Sequence, residues 1–314
     1  MKTWRIVFMG TPAFACASLE ALLAGRDPVV AVVCQPDRPR GRGLDVVAPE
    51  SKRLAERHGI PVLQPARLRD PAFQDELRAL APTLGVVAAY GRILPREVLD
   101  LPSHGCINVH ASLLPRHRGA APVQWSLMSG DELTGVTIMR MNEELDAGDI
   151  LLQRPLPIRP EHTGGTLLTQ LSVLGAKALL EAIEGLKAGR LQACPQPTTG
   201  VTFAPRIERA HCRLDWARKA ADLERQIRAL APAPSAFTTV RGKLLKVHRA
   251  RAESGSETAP PGTVLHAGLE GLVVETGEGS LRLLEVQLEG RRTLPVTAFL
   301  AGFPLSPGSC LGDP

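Results

Sequence analysis

Residues 5–34 read R-I-V-F-M-G-T-P-A-F-A-C-A-S-L-E-A-L-L-A-G-R-D-P-V-V-A-V-V-C. An apolar run (Arg5–Met9), a glycine turn, a helical stretch opened by proline (Pro12–Leu23) and a β-branched run (Val29–Cys34) follow one another closely. That succession of strand, helix and strand is the rhythm of an open, mostly parallel sheet covered by helices. The rhythm continues downstream, with strands expected at Leu84–Ala89, Cys106–His110 and Val136–Met141. Helices are expected at Pro49–His58, Pro71–Leu80 and Pro122–Met128, where a leading proline suits the first helical turn. A longer helix, Gly165–Gly189, repeats apolar residues at helical spacing (Leu167, Leu171, Leu174, Ala178, Leu179, Ile183, Leu186) and stops at glycine.

The reading is therefore a Rossmann-like first domain over residues 1–189. Residues 190–205 hold three prolines and little periodic pattern, and read as a linker. Beyond it, in residues 206–314, one amphipathic helix (Ala217–Leu230) precedes five glycine-punctuated runs: Ala236–Val240, Lys243–Ala250, Gly262–Ala267, Leu272–Thr276 and Ser280–Gln287. Five short strands with tight turns suggest a small β-barrel of the oligonucleotide-binding (OB) type.

The length of 314 residues suits two ordinary domains, and the 44% hydrophobic content is that of a globular protein. Unbroken apolar stretches such as Val29–Cys34 and Val86–Tyr90 fall far short of the roughly 20 residues of a spanning helix, so no membrane association is expected. Pro12 cuts short the apolar run that makes the N-terminus resemble an export signal. Six dispersed cysteines with no C-x-x-C pair suit reduced thiols and a cytoplasmic setting. His104, Cys106 and His110 lack a fourth ligand at usable spacing, so no metal is expected. Twelve Lys/Arg stand against four Asp/Glu between Arg206 and Arg251, whereas from Ala252 onward the balance is three against eight. A basic face of that kind can attract a phosphate backbone.

The turn G-T-P-A-F-A (Gly10–Ala15) lacks the later glycines of a dinucleotide fingerprint and the Gly-Lys-Ser/Thr of a phosphate loop. Asp37, at the end of the second strand, leaves an NAD-linked alternative resting on one residue. The segment G-C-I-N-V-H-A-S-L-L-P-R-H-R-G-A-A-P (Gly105–Pro122) is richer. Asn108 and His110 are two apart on a strand and so project from one face near its C-terminal end, where open α/β sheets place ligands. Asp146, in the loop N-E-E-L-D-A-G-D after the next strand, is expected to meet them there. An amide donor and a protonated imidazole can stabilise an oxyanion, while a carboxylate orients the ring and favours its charged form. Each residue alone more often caps a turn or satisfies the backbone. The three together favour catalysis.

The string N-V-H-A-S-L-L-P-R-H-R-G-A-A-P, with L-D-A-G-D downstream, resembles the signature of the folate-dependent formyltransferases. The resemblance extends through M-G-T-P-A-F-A, Q-P-D-R-P-R-G-R-G, A-Y-G-R-I-L-P, G-V-T-I-M-R-M and L-D-W, and thins after P-G-T-V at 261–264. It implies a formyl donor, 10-formyltetrahydrofolate, and as acceptor the amino group of methionine on initiator tRNA. By position it makes Asn108, His110 and Asp146 the catalytic residues. Ser112, Leu113, Leu114 and Pro115 match a folate-contacting loop, and Ala88, Ala89, Tyr90, Gly91, Arg92, Ile93 and Leu94 match the wall of the pterin pocket. Backbone groups of the first are expected at the pterin edge, with Ile93 and Leu94 over its faces.

On the acceptor side, Arg38, Arg40 and Arg42 match a basic loop used against the tRNA end, and Phe14 is a candidate for the methionine pocket. Leu44 and Asp45 make this loop less cationic than the family pattern, and Ala233–Ser235 lacks the usual aromatic residue. A monomer is expected. The rivals are a sister formyltransferase acting on an amino sugar nucleotide or purine precursor, a non-catalytic RNA-binding protein, and an NAD-linked oxidoreductase.

Overall fold

The computed structural model describes residues 3–40, 45–255 and 259–312. The chain divides into two compact units. Residues up to Pro122, Leu133–Pro157 and Leu168–Pro205 form the first; Val123–Glu132, Ile158–Leu167 and the residues from Arg206 onward form the second. Residues 190–205 thus belong to the first unit.

The first stretch of chain runs β1 (Ile6–Gly10), α1 (Ala13–Leu23), β2 (Val29–Val33), the short β3 (Arg38–Arg40) and β4 (Asp45–Val47), α2 (Glu50–Arg57), β5 (Val62–Leu63) and α3 (Pro71–Ala79). It continues through β6 (Leu84–Ala88), α4 (Arg96–Leu99), β7 (Cys106–His110), α5 (Pro122–Met128), β8 (Leu133–Arg140), β9 (Ile150–Pro157) and α6 (Gly164–Lys187). The main sheet has seven strands in the order β5-β2-β1-β6-β7-β8-β9. Strands β5 to β7 are parallel, whereas β8 and β9 run antiparallel to their neighbours. β1, β6 and β7 are buried at every position, which is why they read as continuous apolar runs rather than alternating ones.

Local signals set the helix starts. Pro12, Pro49 and Pro95 sit at N-caps, and at α3 the Asp70 carboxylate accepts the Ala72 N–H (3.1 Å) with Pro71 inside the first turn. β9 is not expected from the sequence because I-L-L-Q-R-P-L-P contains two prolines. It lies at the sheet edge, where a missing ladder donor is tolerated. α6 is long and apolar enough to cross a membrane by length and composition, but half of its apolar window is buried inside the protein. The side chains of Leu167, Leu171, Leu179 and Ile183 account for this as core residues.

The second unit contains α7 (Arg209–Cys212), α8 (Ala220–Leu230), β10 (Ala236–Val240), β11 (Lys243–Glu253), β12 (Val264–Gly268), β13 (Gly271–Glu275), β14 (Ser280–Leu288), β15 (Leu294–Pro295) and α9 (Val296–Gly302). Its strands are antiparallel, in the order β10-β11-β14-β13-β12, with β15 on β14. Leu223, Ile227 and Leu230 share one face of α8 and join a core with Trp216, Leu245, Val247, Leu281 and Leu283. All five strands expected here are present, each displaced by a few residues at most.

Candidate active site on the seven-stranded sheet

Asn108 and His110 occupy alternate positions of β7, and only 8% and 5% of their surfaces are exposed. Val87 of β6 pairs with Asn108, so β6 ends at Ala88 and its turn leaves the sheet at the level of His110. β8 pairs with β7 in the opposite sense, His110 opposite Thr137 and Ile107 opposite Arg140. The loop after β8 therefore starts at the far end of β7, where the Met141 N–H donates to the Cys106 carbonyl (2.9 Å). It folds back along the sheet to bring Asp146 to the other two. The three residues meet, as the sequence leads one to expect, because the loop returns along the sheet from the far end of β7.

Two contacts orient the His110 ring. Nε2 lies 3.0 Å from the His117 carbonyl, an acceptor only, so Nε2 carries a proton and donates. Nδ1 then faces Oδ2 of Asp146 at 3.6 Å, an ion-pair distance once the ring is doubly protonated. Oδ2 also accepts the Gly119 N–H (2.8 Å), and Oδ1 lies 3.5 Å from Nδ2 of Asn108. Nδ1 is thus the ring atom left to take up a proton.

The carboxylate is held by strained backbone. Asp146 has φ +48°, a left-handed conformation that costs a non-glycine residue roughly 1–3 kcal/mol. Two residues on, a Cβ at Gly148 would lie 1.9 Å from the Arg140 carbonyl oxygen, so only glycine lets the loop approach β8 this closely. The Asp146 and Gly148 carbonyls both accept from Nε2 of Gln196, each at 2.8 Å. Oε1 of Gln196 accepts from Nε and Nη2 of Arg118 (3.1 and 2.7 Å). Further bonds lace residues 202–204 to the same loop: His117 N to Thr202 Oγ1 (2.8 Å), Arg118 N to Thr202 O (2.9 Å) and Ala204 N to Arg118 O (2.7 Å). R-H-R-G at 116–119 adjoins the motif and is visible in the sequence; Gln196 carries no local signal.

The expected folate residues divide. Ala89 (φ +46°) and Gly91 (φ +84°) form an exposed turn, and the Ile93 side chain is 73% exposed. Leu94 is core, packed with Val98 and Tyr90, and Arg92 Nη1 is taken by the Pro65 and Ala66 carbonyls. Tyr90 is buried and its hydroxyl has no partner among the described residues; burial pushes it up to about 12. In the other loop, Ser112 and Leu114 are buried while Leu113 and Pro115 keep partial exposure. The Thr137 hydroxyl donates to Ser112 O (2.7 Å) and accepts from Leu114 N (3.1 Å), and Gln153 Nε2 donates to Leu114 O (2.9 Å). Those three backbone groups have partners within the fold, leaving this loop fewer free polar groups than the sequence suggests.

Of the acceptor-side residues, Arg38 is exposed, with Nη2 3.4 Å from Gln35 Oε1; Arg40 lies in β3, and Arg42 lies outside the described residues. Phe14 is buried at the start of α1. Asp37 is committed elsewhere: Lys52 Nζ (2.8 Å, to Oδ2) and Gln64 Nε2 (2.7 Å, to Oδ1) bond its carboxylate, and these bonds, Gln64 first, hold it below its ordinary range. A ribose would have to displace both. His104 stacks on Trp4 (centroids 4.4 Å apart), and burial pushes the Cys106 thiol up to about 12. In the second unit a cleft of about 300 Å³ is lined by Trp125, His211, Arg213, Arg218 and Gln226.

A mostly parallel sheet bearing an amide, an oriented imidazole and a carboxylate defines an α/β enzyme suited to acyl-group transfer. Residues 4–183 match the family described as formyl transferase, and residues 206–304 match the formyl transferase C-terminal domain. The chain belongs to this formyl transferase family. It is 53% identical over 309 residues to a methionyl-tRNA formyltransferase of Myxococcus xanthus, covering 98% of each chain. It is 48% identical to that of Geobacter sulfurreducens, covering 100% of this chain and 98% of the other. Among solved structures, an N-formyltransferase from Helicobacter canadensis with folinic acid and dTDP-3-aminofucose shares the fold at TM-score 0.65 and 16% identity, over 90% of this chain and 99% of that one. HypX from Aquifex aeolicus with tetrahydrofolic acid does so at 0.65 and 21%, over 96% of this chain and 48% of HypX.

Proposed function

We propose that this chain transfers the formyl group of 10-formyltetrahydrofolate to the free amino group of methionine on initiator tRNA, in support of translation initiation. Similarity to named methionyl-tRNA formyltransferases over nearly the whole of both chains supports the acceptor, because it includes the second unit as well as the first. A sugar or purine acceptor has no such support. The reaction belongs to the cytoplasm, and a monomer suffices, since Asn108, His110 and Asp146 come from one chain.

The observation that carries the chemistry is the hydrogen bond from Nε2 of His110 to the His117 carbonyl. It leaves Nδ1 as the ring nitrogen that faces Asp146. Nδ1 lies 3.6 Å from the Asp146 carboxylate, which is placed to pair with a doubly protonated ring. Asn108 Nδ2 and the protonated Nδ1 are then the donors for negative charge developing on the formyl oxygen as the amine attacks. Bound folate supplies the formyl group on a nitrogen leaving group. The chain's own residues suit it: Ile93 offers apolar cover beside the exposed Ala89–Gly91 turn, and Leu113 and Pro115 present apolar surface from the opposite loop.

The catalytic domain is assigned to residues 1–189 and the tRNA platform to 206–314, with Arg38, Arg40 and Arg42 positioning the acceptor end. Exposed Arg206, Arg209, Arg213 and Arg218, two of them beside Trp125 and His211 in the second unit's cleft, suit phosphate contact and base stacking. The test is formyl transfer from 10-formyltetrahydrofolate to charged initiator tRNA, charged elongator tRNA, free methionine and an amino sugar nucleotide. Strong preference for initiator tRNA is expected; equal or better use of any of the others overturns the assignment.

A further inference from the structure

We infer that Gln196 is a positioning residue for the formyl-transfer centre, acting through Asp146. The residue lies in the proline-rich stretch that local pattern marks as a linker. Between Gln192 and Gly200, all described, every residue except Gln196 is exposed. Its amide explains why it turns inward. The two Nε2 hydrogens go to the carbonyls of Asp146 and Gly148, each at 2.8 Å, in the loop after β8. The Oε1 atom receives two N–H bonds from Arg118, in the loop after β7. One side chain therefore joins the two loops whose juxtaposition makes the site.

Both joined loops carry an atom that bears on His110. The residues flanking Arg118 supply the His117 carbonyl that accepts from Nε2 and the Gly119 N–H that donates to Asp146 Oδ2. The Asp146 carbonyl belongs to a residue in the left-handed region, a conformation that persists only where surrounding contacts over-determine it. Gln196 provides that restraint from the main-chain side while Gly119 provides it from the carboxylate side. Loss of the Gln196 donors should let Asp146 relax toward ordinary φ and move its carboxylate away from Nδ1.

The inference rests on reading Asn108, His110 and Asp146 as the reaction centre, and a double-mutant cycle in the full-length protein separates the two ideas. Gln196→Glu keeps the size and the acceptor for Arg118 but replaces the two donated bonds with oxygen facing oxygen. Gln196→Ala removes the link without adding charge. Each is expected to lower kcat about tenfold or more, with the KM for 10-formyltetrahydrofolate changed less than about twofold. In an Asp146→Asn background the same substitutions should cost less than about twofold, because the group they position is already gone. Assays run well below the melting temperature of every variant exclude simple unfolding. If Asp146→Asn is fully active, the reaction-centre reading fails. If Asp146→Asn is impaired but the Gln196 variants are normal, or their effects multiply with it, Gln196 has no positioning role.

Discussion

His110 Nδ1 and Asp146 Oδ2 stand 3.6 Å apart, too far for a hydrogen bond and close enough for an ion pair when the ring is charged. The carboxylate therefore acts on the proton of Nδ1 electrostatically. Asp146→Asn should preserve the fold and lower kcat by about tenfold to a hundredfold, since the charge that can pair with a doubly protonated ring is lost. His110→Ala and Asn108→Ala should each cost about a hundredfold or more in kcat with small changes in folate affinity. Steady-state kinetics would read both effects; an unchanged kcat in Asp146→Asn gives Asp146 another role.

Gly148 is the point at which the Asp146 loop touches β8. A methyl group there meets the Arg140 carbonyl at 1.9 Å, and that contact is backbone, which cannot swing aside. Gly148→Ala should therefore displace the loop and reduce kcat about as severely as Asp146→Asn, with a lowered melting temperature. Gly59, whose Cβ would meet nothing within 4 Å, is the contrasting site: Gly59→Ala should cost only the strain of its positive φ, without loss of kcat. Equal kinetics for the two variants would contradict the packing described.

Five of the six cysteines should separate into two classes by reactivity. Burial pushes Cys34 up to about 11 and Cys106 up to about 12 and also raises Cys212, while Cys194 and Cys310 are exposed. At pH 8 about one Cys34 in a thousand is thiolate, and thiolate is the reactive form. Iodoacetamide at that pH should label Cys194 and Cys310 in the native protein, and Cys34, Cys106 and Cys212 only after denaturation. Because folding raises Cys34 and Cys106 above the unfolded value, their contribution to stability is complete below about pH 9 and is lost as pH rises through 11 to 12. Mass spectrometry of labelled peptides tests the first claim, and alkaline unfolding the second.

The basic surface of the second unit calls for charge reversal rather than truncation. Val123–Glu132 and Ile158–Leu167 belong with the residues after Arg206, so a chain ending at Pro205 would leave both stretches without their packing partners. In the full-length protein, Arg206→Glu, Arg209→Glu and Arg213→Glu together should weaken tRNA binding and leave folate binding intact. Each lost phosphate contact should reduce the slope of log affinity against log salt by about 0.7–0.9. A slope unchanged by all three would move the tRNA platform elsewhere.

Local pattern makes much of this molecule legible. The all-apolar runs of β1, β6 and β7 mark central strands, proline marks the helix starts, and the two-residue spacing of Asn108 and His110 puts both on one face of β7. These properties are set within a few residues by dihedral preference and by the period of the side chains, so a sequence window contains them. Leu94 and Ile93 show where that window ends: two adjacent apolar residues, one in the core and one 73% exposed. The direction of β8 is likewise undetermined locally, since an apolar strand fits a sheet in either sense. Yet that direction decides from which end of β7 the Asp146 loop must travel. Gln196 lies fifty residues from Asp146, in a segment whose composition favours no structure, and its amide finds two carbonyls only once the loops have packed. The sequence by itself determined the central strands, several helix starts and which side chains are candidates for the chemistry; tertiary packing decided which groups meet and in which rotamer, because hydrogen-bond partners distant along the chain are chosen by three-dimensional closure and not by local preference.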